Sequence, residues 1–398
     1  MIPVIDMTKE YGLVLEGGGA KGAYQIGAWK ALVESGVKIC AVAGTSVGAL
    51  NGALICMGDV QKAEELWGNI AYSKVIDVDD KVMEELFGKN LKAQEIVREF
   101  TRIAGNKGAD VTPLRQMIEE NIDEEFIRNG SVKLYLLTFS ISDMKELDID
   151  IQKEPDGLLA DYLLASSYLP VFKNERLHGK IYIDGGMINN VPLNCLVERG
   201  YKNIISIRIF GMGREKKVKI SDDTVLLTIS PRVNLGNMLD FDSKKSRRNL
   251  KIGYFDAMRL IYGLKGTIYY IEQKEEECYY LNQLVTLEKE VLSFILSIYK
   301  VNITKEGYHI RALVEVIYPA IALELKLGKE WNYETLYLSM LEAAAKILKI
   351  QKYRIYTVQE LKQLVVKRVY NTENLRTLPL FVHCILNDKQ LIIKELEE

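Results

Sequence analysis

Two short apolar runs, each followed by glycines and a helix-forming segment, constrain the fold of this chain more than any other feature. Residues 11–16 form the first run and predict a buried strand, and residues 22–34 predict the helix that follows it. Residues 37–43 predict a second buried strand, which leads into a small-residue helix over 46–57. A strand–helix–strand–helix order in so short a stretch indicates parallel strands joined by helices, so we expect an α/β fold.

The length of the chain, 398 residues, exceeds what one ordinary core accommodates, and the composition changes along it. After Gly266, glycine becomes sparse and helix-forming residues dominate. We therefore predict an α/β domain over residues 1–265 and a mainly helical domain of undetermined role over residues 266–398. Helices are expected there near 287–300, 310–327, 333–350, 357–369 and 380–386. Thr357 and Glu360 match a capping box at the start of one of them.

The overall composition excludes several kinds of partner. Hydrophobic residues make up 48% of the chain and charged residues 27%, which is typical of a soluble globular protein. The formal net charge of −2 provides no basic footprint, so we expect no nucleic-acid partner. The five cysteines are scattered without a C-x-x-C pair, which indicates a reducing compartment and argues against disulfides or a cysteine zinc site.

The distribution of charge and apolar residues bears on location. Residues 1–10 lack the pattern of a secretion signal, and no stretch reaches the roughly 18 uncharged apolar residues that span a bilayer. We therefore predict a cytoplasmic protein whose membrane contact is at most peripheral. A helix predicted over 243–262 has a basic start formed by Lys244, Lys245, Arg247, Arg248 and Lys251. These charges either contact an anionic surface or form an ordinary solvated face, and neighbouring acids favour the solvated face.

The glycine-rich segment Gly17-Gly18-Gly19-Ala20-Lys21-Gly22 places several backbone N–H groups at the start of a predicted helix, where they can stabilise an anion. A dinucleotide site shares this G-x-G-x-x-G spacing. However, such a site needs an acidic residue at the end of the second strand, where this chain has Gly44-Thr45-Ser46. A phosphate loop needs a lysine where Ala23 stands. The same N–H groups can instead stabilise the oxyanion that forms during acyl transfer.

A G-x-S-x-G turn from Gly44 to Gly48 places Ser46 between a predicted strand and a predicted helix. In α/β enzymes this arrangement exposes a nucleophilic serine hydroxyl. The same pentapeptide also occurs as an ordinary helix start with serine as the N-cap. The flanking strand and small-residue helix favour the nucleophile.

A nucleophilic serine needs a base, and the three histidines of the chain are poorly placed for that role. His178 falls in a polar loop, and His309 and His383 fall in the predicted helical domain. Asp184, followed by Gly185-Gly186, ends a predicted strand over 180–184. Asp-Gly is also an ordinary turn dipeptide. Because this strand would deliver Asp184 at its carboxyl end, where α/β sheets place their sites, we predict Asp184 as the base.

Three motifs of this chain resemble those of the patatin-like phospholipase family: Glu16 to Gly22, Gly44 to Gly48 and Asp184 to Gly186. Residues 165–170 and 189–192 are similar to further signatures of the family. The resemblance is to the bacterial type, here with an extra helical C-terminal region, and covers roughly residues 11–209. It implies a three-layer α/β/α sandwich with a mainly parallel sheet.

The same resemblance implies a catalytic dyad, in which Ser46 is the nucleophile that forms an acyl-enzyme and Asp184 is the general base. It also implies an oxyanion hole made by the N–H groups of Gly17, Gly18 and Gly19, with Lys21 nearby. The glycines that support these motifs are Gly22, Gly44, Gly48, Gly185 and Gly186. No cofactor or metal ion is expected. Because an exposed carboxylate is a weak base at neutral pH, we expect Asp184 to be partly desolvated.

The implied substrate is a lipid or lipid-like ester, such as a phospholipid or lysophospholipid, and the implied activity is that of a serine lipid acyl hydrolase. Apolar residues from the helices between 61 and 120 would hold the acyl chain. An alternative is a lipid-binding or regulatory module with little turnover, in which the helical C-terminal region is the effector.

Overall fold

The computed structural model describes residues 1–89, 93–105, 108–173, 175–300, 308–371 and 378–391. The chain divides into two compact units, one formed by Ile2–Tyr262 and the other by Gly263–Glu398 together with Met1. We call them the N-terminal unit and the C-terminal unit. The boundary predicted from the sequence falls after residue 265, whereas the structural division falls after Tyr262.

A seven-stranded sheet lies at the centre of the N-terminal unit. Its strands are β1 (Glu10–Leu15), β2 (Lys38–Thr45), β3 (Lys133–Ser140), β4 (Lys145–Asp150), β5 (Tyr182–Asp184), β6 (Asn203–Ile207) and β7 (Val225–Ile229). The order across the sheet is β4-β3-β2-β1-β6-β7, and β5 also pairs with β3. All neighbours are parallel except β4 and β5, which run antiparallel to β3.

The helices of the N-terminal unit are α1 (Ala23–Glu34), α2 (Val47–Met57), α3 (Val60–Gly68), α4 (Asp80–Gly88), α5 (Ala93–Ala104), α6 (Thr112–Asn121), α7 (Glu124–Asn129), α8 (Leu159–Ser167), α9 (Leu193–Val197) and α10 (Ser243–Tyr262). Helices cover both faces of the sheet because side chains alternate along each strand. On one face, Val14 and Leu137 pack with Leu196 of α9. On the other face, a Cβ atom added to Gly52 of α2 would lie 3.2 Å from Val42. The expected three-layer α/β/α fold with a mainly parallel sheet is confirmed.

The strand that carries Asp184 differs from a parallel strand in its direction. β5 pairs antiparallel with β3, with Asp184 opposite Thr138, whereas β2 is parallel to β3 and ends with Thr45 opposite Leu137. Since β4 occupies the other edge of β3 at these positions, β2 and β5 share one edge and meet end to end. Ser46 and Asp184 therefore lie together because the carboxyl ends of two opposed strands meet. Asp184 lies at the carboxyl end of its strand, as predicted, whereas the antiparallel direction of β5 was not predicted.

The C-terminal unit is mainly helical, as predicted. Its helices are α11 (Glu277–Val285), α12 (Lys289–Ile298), α13 (Tyr308–Ala312), α14 (Tyr318–Glu324), α15 (Tyr333–Ile347), α16 (Val358–Tyr370) and α17 (Leu380–Leu386), with a π-helical segment over Leu313–Ile317. The capping box of Thr357 and Glu360 is confirmed. The sequence did not predict β8 (Tyr270–Glu272) and β9 (Ile355–Thr357), which pair in parallel. Residues 301–307, 372–377 and 392–398 of the predicted helical domain lie outside the described residues.

A buried glutamate fixes the first residues of the C-terminal unit to α15. Glu342 is 1% exposed, and its Oε1 accepts hydrogen bonds from the N–H groups of Thr267 (2.9 Å), Ile268 (2.8 Å) and Tyr269 (2.7 Å). Its Oε2 accepts a further bond from Thr267 Oγ1 at 3.1 Å. One carboxylate thus satisfies several donors of a segment that forms no helix. Across the described helices of both units, none combines the length and apolar content that crossing a bilayer requires.

Candidate active site

Ser46 occupies a strained turn between β2 and α2. Its backbone has φ 55° and ψ −128°, a conformation that costs a non-glycine residue free energy and is found at functional turns. The neighbouring glycines permit this turn because the chain passes close to itself. A Cβ atom on Gly44 would lie 2.2 Å from Gly48 O, and one on Gly48 would lie 2.3 Å from Leu15 O. The turn therefore depends on glycine at both positions.

A hydrogen-bond chain holds the backbone of this turn. The N–H of Ser46 donates to Ser166 Oγ at 2.8 Å, and the hydroxyl of Ser166 donates to Leu137 O at 2.7 Å. Ser166 lies on α8 and Leu137 on β3, so two further elements fix the position of Ser46. The sequence placed Ser166 in a family signature but gave it no role.

The side chains of Ser46 and Asp184 form a buried pair. The Ser46 hydroxyl donates to Asp184 Oδ2 at 2.5 Å, and the two residues are 6% and 3% exposed. The other carboxylate oxygen, Oδ1, accepts from the N–H of Gly186 at 2.7 Å. The carboxylate is thus oriented by one backbone donor and directed at one hydroxyl. A carboxylate held in this way can accept the proton of the hydroxyl.

Burial makes Asp184 a stronger base than an exposed aspartate. Removal from water raises its pKa from 3.8 to about 6, while the hydrogen bonds from Ser46 and Gly186 act in the opposite direction. A carboxylate with this pKa is mostly ionised at neutral pH and still able to accept a proton. The expected desolvation of Asp184 is therefore present.

The histidines lie apart from this pair. His178 Nε2 is 2.6 Å from Asp161 Oδ2 on the surface of the N-terminal unit. His309 belongs to α13 and His383 to α17, both in the C-terminal unit. The partner of the Ser46 hydroxyl is a carboxylate and not an imidazole.

The glycine-rich segment lies against Ser46, since a Cβ atom on Gly17 would be 3.1 Å from Ser46 Cβ. The N–H of Gly17 already donates to Asn190 O at 3.1 Å. Among the hydrogen bonds of the described residues, none uses the N–H of Gly18 or of Gly19. Of the three donors proposed for an oxyanion, these two are therefore the available ones.

Lys21 contacts the segment after β6, although the predicted role places it near the oxyanion hole. Its ammonium group donates to Phe210 O at 2.7 Å, and burial lowers its pKa. The structure thus uses Lys21 to hold the segment after β6. Gly22 lies at the start of α1, where its carbonyl accepts a hydrogen bond from Asn51 Nδ2 at 2.9 Å. Gly185 O accepts the N–H groups of Ile188 and Asn189, which closes the turn after Asp184.

Glu16 and Asn190 hold the glycine-rich segment in place, although the sequence indicated a role for neither of them. Glu16 is 2% exposed, and its Oε2 accepts from the N–H groups of Ile209 (2.7 Å) and Phe210 (3.0 Å) and from Arg208 Nε (3.0 Å). Asn190 Nδ2 donates to Gly17 O at 3.0 Å and to Glu16 Oε1 at 3.3 Å. A glutamate at the end of an apolar run is the signal that could have identified this network, because a buried charge needs partners.

An apolar pocket opens beside Ser46. The walls expected from residues 61–120 are present: Leu66, Trp67, Ile70, Val75, Leu114, Met117 and Ile118. The sequence did not predict the further apolar wall residues Val47, Leu50, Leu54, Leu169, Phe172 and Phe241. Ser46 and Asn51 are among the few polar residues that line the pocket.

These features define a mainly parallel α/β fold in which a strained serine turn faces a buried carboxylate. Residues 13–197 match the patatin-like phospholipase family, so this segment of the N-terminal unit is similar to that family. The matched segment contains both Ser46 and Asp184.

Similar proteins are known from animals. The chain is 27% identical over 223 residues to neuropathy target esterase sws of Drosophila melanogaster, covering 53% of this chain and 14% of that protein. It is 30% identical over 207 residues to patatin-like phospholipase domain-containing protein 6 of Homo sapiens, covering 50% of this chain and 13% of that protein. The match thus spans about one seventh of the length of these relatives.

Two solved structures are also similar. VipD from Legionella pneumophila has 14% sequence identity and a TM-score of 0.41, with 96% of this chain and 91% of that chain covered. The type III effector protein ExoU has 14% identity and a TM-score of 0.30, with 95% and 77% covered.

Proposed function

We propose that this chain is a serine lipid acyl hydrolase of the phospholipase or lysophospholipase type. The observation that carries the proposal is the 2.5 Å hydrogen bond from Ser46 Oγ to Asp184 Oδ2 beside an apolar pocket. The match of residues 13–197 to the patatin-like phospholipase family supports it. The similarity to neuropathy target esterase sws and to patatin-like phospholipase domain-containing protein 6 also supports it.

In the first half of the reaction, Ser46 Oγ attacks the ester carbonyl carbon and its proton passes to Asp184 Oδ2. The carbonyl oxygen becomes an oxyanion, which the N–H groups of Gly18 and Gly19 stabilise. The tetrahedral intermediate then expels the alcohol, which takes the proton from Asp184. The product of this half-reaction is an acyl-enzyme on Ser46.

In the second half, a water molecule attacks the acyl-enzyme and gives its proton to Asp184. The same two N–H groups stabilise the second oxyanion. Collapse of this intermediate releases the fatty acid, and the proton returns from Asp184 to Ser46 Oγ. A single carboxylate thus accepts and returns one proton in each half-reaction.

The pocket supports a long apolar acyl group as the part of the substrate that is recognised. Its walls are almost entirely aliphatic and aromatic, and Ser46 lies in the same wall. Burial of an acyl chain there stabilises the complex by about 0.8 kcal/mol for each methylene group removed from water. The protein would therefore bind esters with longer acyl chains more tightly until the pocket is filled.

A fluorophosphonate probe tests this proposal because it labels an activated serine without a chosen substrate. We expect labelling at Ser46 in the wild type, none in Ser46→Ala, and labelling at least about 100-fold slower in Asp184→Asn, which lacks the base. Ser167→Ala is a matched control. This second buried serine of the pocket donates its hydroxyl to Leu163 O and has no carboxylate partner among the residues that the structure describes.

Retention of labelling in Ser167→Ala, together with hydrolysis of a lysophospholipid by the wild type, supports the hydrolase. A folded wild type that neither reacts with the probe nor hydrolyses any lipid ester contradicts it. That result would favour the alternative of a lipid-binding module.

A further inference from the structure

The segment from residue 208 to residue 219, which we call the 208–219 loop, exposes large apolar side chains between β6 and β7. Phe210 is 56% exposed and Met212 is 66% exposed. Met187, in the turn after Asp184, is 45% exposed. Scattered exposed apolar residues are ordinary, but these three belong to segments that contact one another around the site.

The loop borders both halves of the site. A Cβ atom on Gly211 would lie 1.8 Å from Gly17 O, so the loop lies directly on the glycine-rich segment. Further along, the N–H of Arg214 donates to Gly186 O at 2.9 Å, two residues after Asp184. Any surface that the loop binds is therefore brought next to Ser46 and Asp184.

The backbone holds the Phe210 ring outward. Its N–H donates to Glu16 Oε2 at 3.0 Å, its carbonyl accepts from Lys21 Nζ at 2.7 Å, and its φ is 47°. A positive φ is unfavourable for an aromatic residue, and the surrounding hydrogen bonds must maintain it. The guanidinium of Arg208 lies 5.8 Å from the ring centroid. These hydrogen bonds fix the backbone of Phe210, a residue that is 56% exposed.

The loop is also strongly basic. Residues 208–219 contain five basic side chains, Arg208, Arg214, Lys216, Lys217 and Lys219, and a single acidic one, Glu215. Arg208 pairs with Glu215, and Lys216 pairs with Glu146 of β4. The exposed side chains of Arg214, Lys217 and Lys219 form no ion pair with the described residues. Their charge is available to a partner.

Three of the five basic side chains at the start of α10 have contacts within the protein, whereas those of Lys244 and Lys251 form no ion pair with the described residues. Lys245 pairs with Asp240, Arg247 donates to Gly68 O, and Arg248 donates to Asn234 O. These contacts are compatible with the ordinary solvated face that the sequence favoured over contact with an anionic surface. The loop, in contrast, combines unpaired charge with exposed apolar residues.

We propose that the 208–219 loop, together with Met187, docks the protein onto the surface of an anionic phospholipid bilayer. Aromatic and apolar side chains enter the interfacial region of a bilayer, while lysine and arginine contact anionic headgroups. Docking there would present a lipid ester to the neighbouring site without a membrane-spanning helix. The proposal rests on the proposed function for its purpose, but binding is measurable without turnover.

Flotation with vesicles of phosphatidylcholine containing about one third phosphatidylglycerol tests the docking surface. We expect binding that weakens with salt and is at least about tenfold weaker in Lys217→Glu/Lys219→Glu. A similar loss is expected in Phe210→Asn/Met212→Ser, because asparagine tolerates a positive φ and neither new side chain is apolar. Thermal unfolding reports whether each variant is folded, whether or not the protein hydrolyses esters.

Matched controls use residues of the same types away from the loop. Lys9→Glu/Lys38→Glu reverses two exposed lysines near the amino ends of β1 and β2, the strand ends opposite Ser46. Met144→Ser removes a methionine that is 75% exposed in the β3–β4 turn. Both are expected to bind vesicles like the wild type.

Equal vesicle binding by the wild type and both loop variants overturns the docking surface, even if the protein hydrolyses esters. Loop-dependent binding without any ester hydrolysis supports the surface and contradicts the proposed function. Vesicle binding that does not depend on lipid charge or salt also overturns the proposal, because the basic side chains would then contact no anionic headgroup.

Discussion

Each unit of this protein contains a buried glutamate that accepts hydrogen bonds from several backbone N–H groups. The two glutamates differ in the segment that they hold. Glu342 holds Thr267 to Tyr269 against α15 in the C-terminal unit. Glu16 holds Arg208 to Phe210 beside the glycine-rich segment that contacts Ser46. Each glutamate stabilises a segment of its own unit, but only the segment held by Glu16 lies beside the Ser46–Asp184 pair. Stability and activity should therefore respond differently at the two positions.

Replacing each glutamate by glutamine tests this comparison most directly. Glutamine keeps the shape but turns one acceptor oxygen into a donor that faces N–H groups. We expect either variant to lose about 2 kcal/mol of unfolding free energy. Glu16→Gln should also slow ester turnover about 100-fold, because the oxyanion donors shift. Thermal unfolding and the hydrolysis of a short soluble ester measure the two effects.

Glu342→Gln is the control, with unchanged turnover expected at temperatures where the protein is folded. Equal losses of turnover in both variants would contradict the distinction between the two glutamates.

The pH dependence of turnover is the next largest effect expected, and it is tied to the N-terminal unit. Burial raises the pKa of Asp184 to about 6. Below that pH the carboxylate is protonated and cannot accept the proton of Ser46. We expect kcat/KM to be constant above about pH 7 and to fall about tenfold per pH unit below 6. A kcat/KM that stays constant down to about pH 4, which is the ordinary pKa range of an aspartate, would show that burial does not raise the pKa of the base.

Local patterns allowed much of this molecule to be predicted. The alternation of apolar runs, glycines and helix formers indicated the βαβ start, the two candidate residues Ser46 and Asp184, and the helices after residue 287. Each of these signals lies within a few neighbouring residues. The capping box at Thr357 is the smallest example, since two residues three positions apart determine it.

Long-range contacts account for what the sequence did not predict. A strand as short as β5 contains no signal for its direction, and its antiparallel pairing depends on where β2 ends. The pairing of β8 with β9 joins segments that are far apart in the chain. The engagement of the Gly17 N–H by Asn190 likewise depends on a distant loop. None of these has a local pattern.

The two units can also be compared at two hydroxyl groups that each accept a hydrogen bond from a backbone N–H group. Ser166 Oγ accepts the N–H of Ser46 before α2, and Thr357 Oγ1 accepts the N–H of Glu360 in the first turn of α16. We expect Ser166→Ala and Thr357→Ala each to lower the unfolding free energy by about 1 kcal/mol. Only Ser166→Ala should also reduce turnover, by about tenfold, because it loosens the strained serine turn. Thermal unfolding and soluble-ester kinetics distinguish the two, and an unchanged rate in Ser166→Ala would show that the turn holds without it.

The smallest expected effect comes from a comparison between a leucine that lines the open pocket and a leucine in a packed core. Leu114 lines the open pocket, whereas Leu341 is fully buried in the core of the C-terminal unit. We expect Leu341→Trp to destabilise by about 1–3 kcal/mol, because a packed core has no room for a larger ring. Leu114→Trp should leave the unfolding temperature nearly unchanged and lower kcat/KM a few-fold for long acyl esters but not for short ones. A series of p-nitrophenyl esters of increasing chain length measures this. Loss of activity on every chain length alike would mean that this wall supports the serine turn and does not hold the acyl chain.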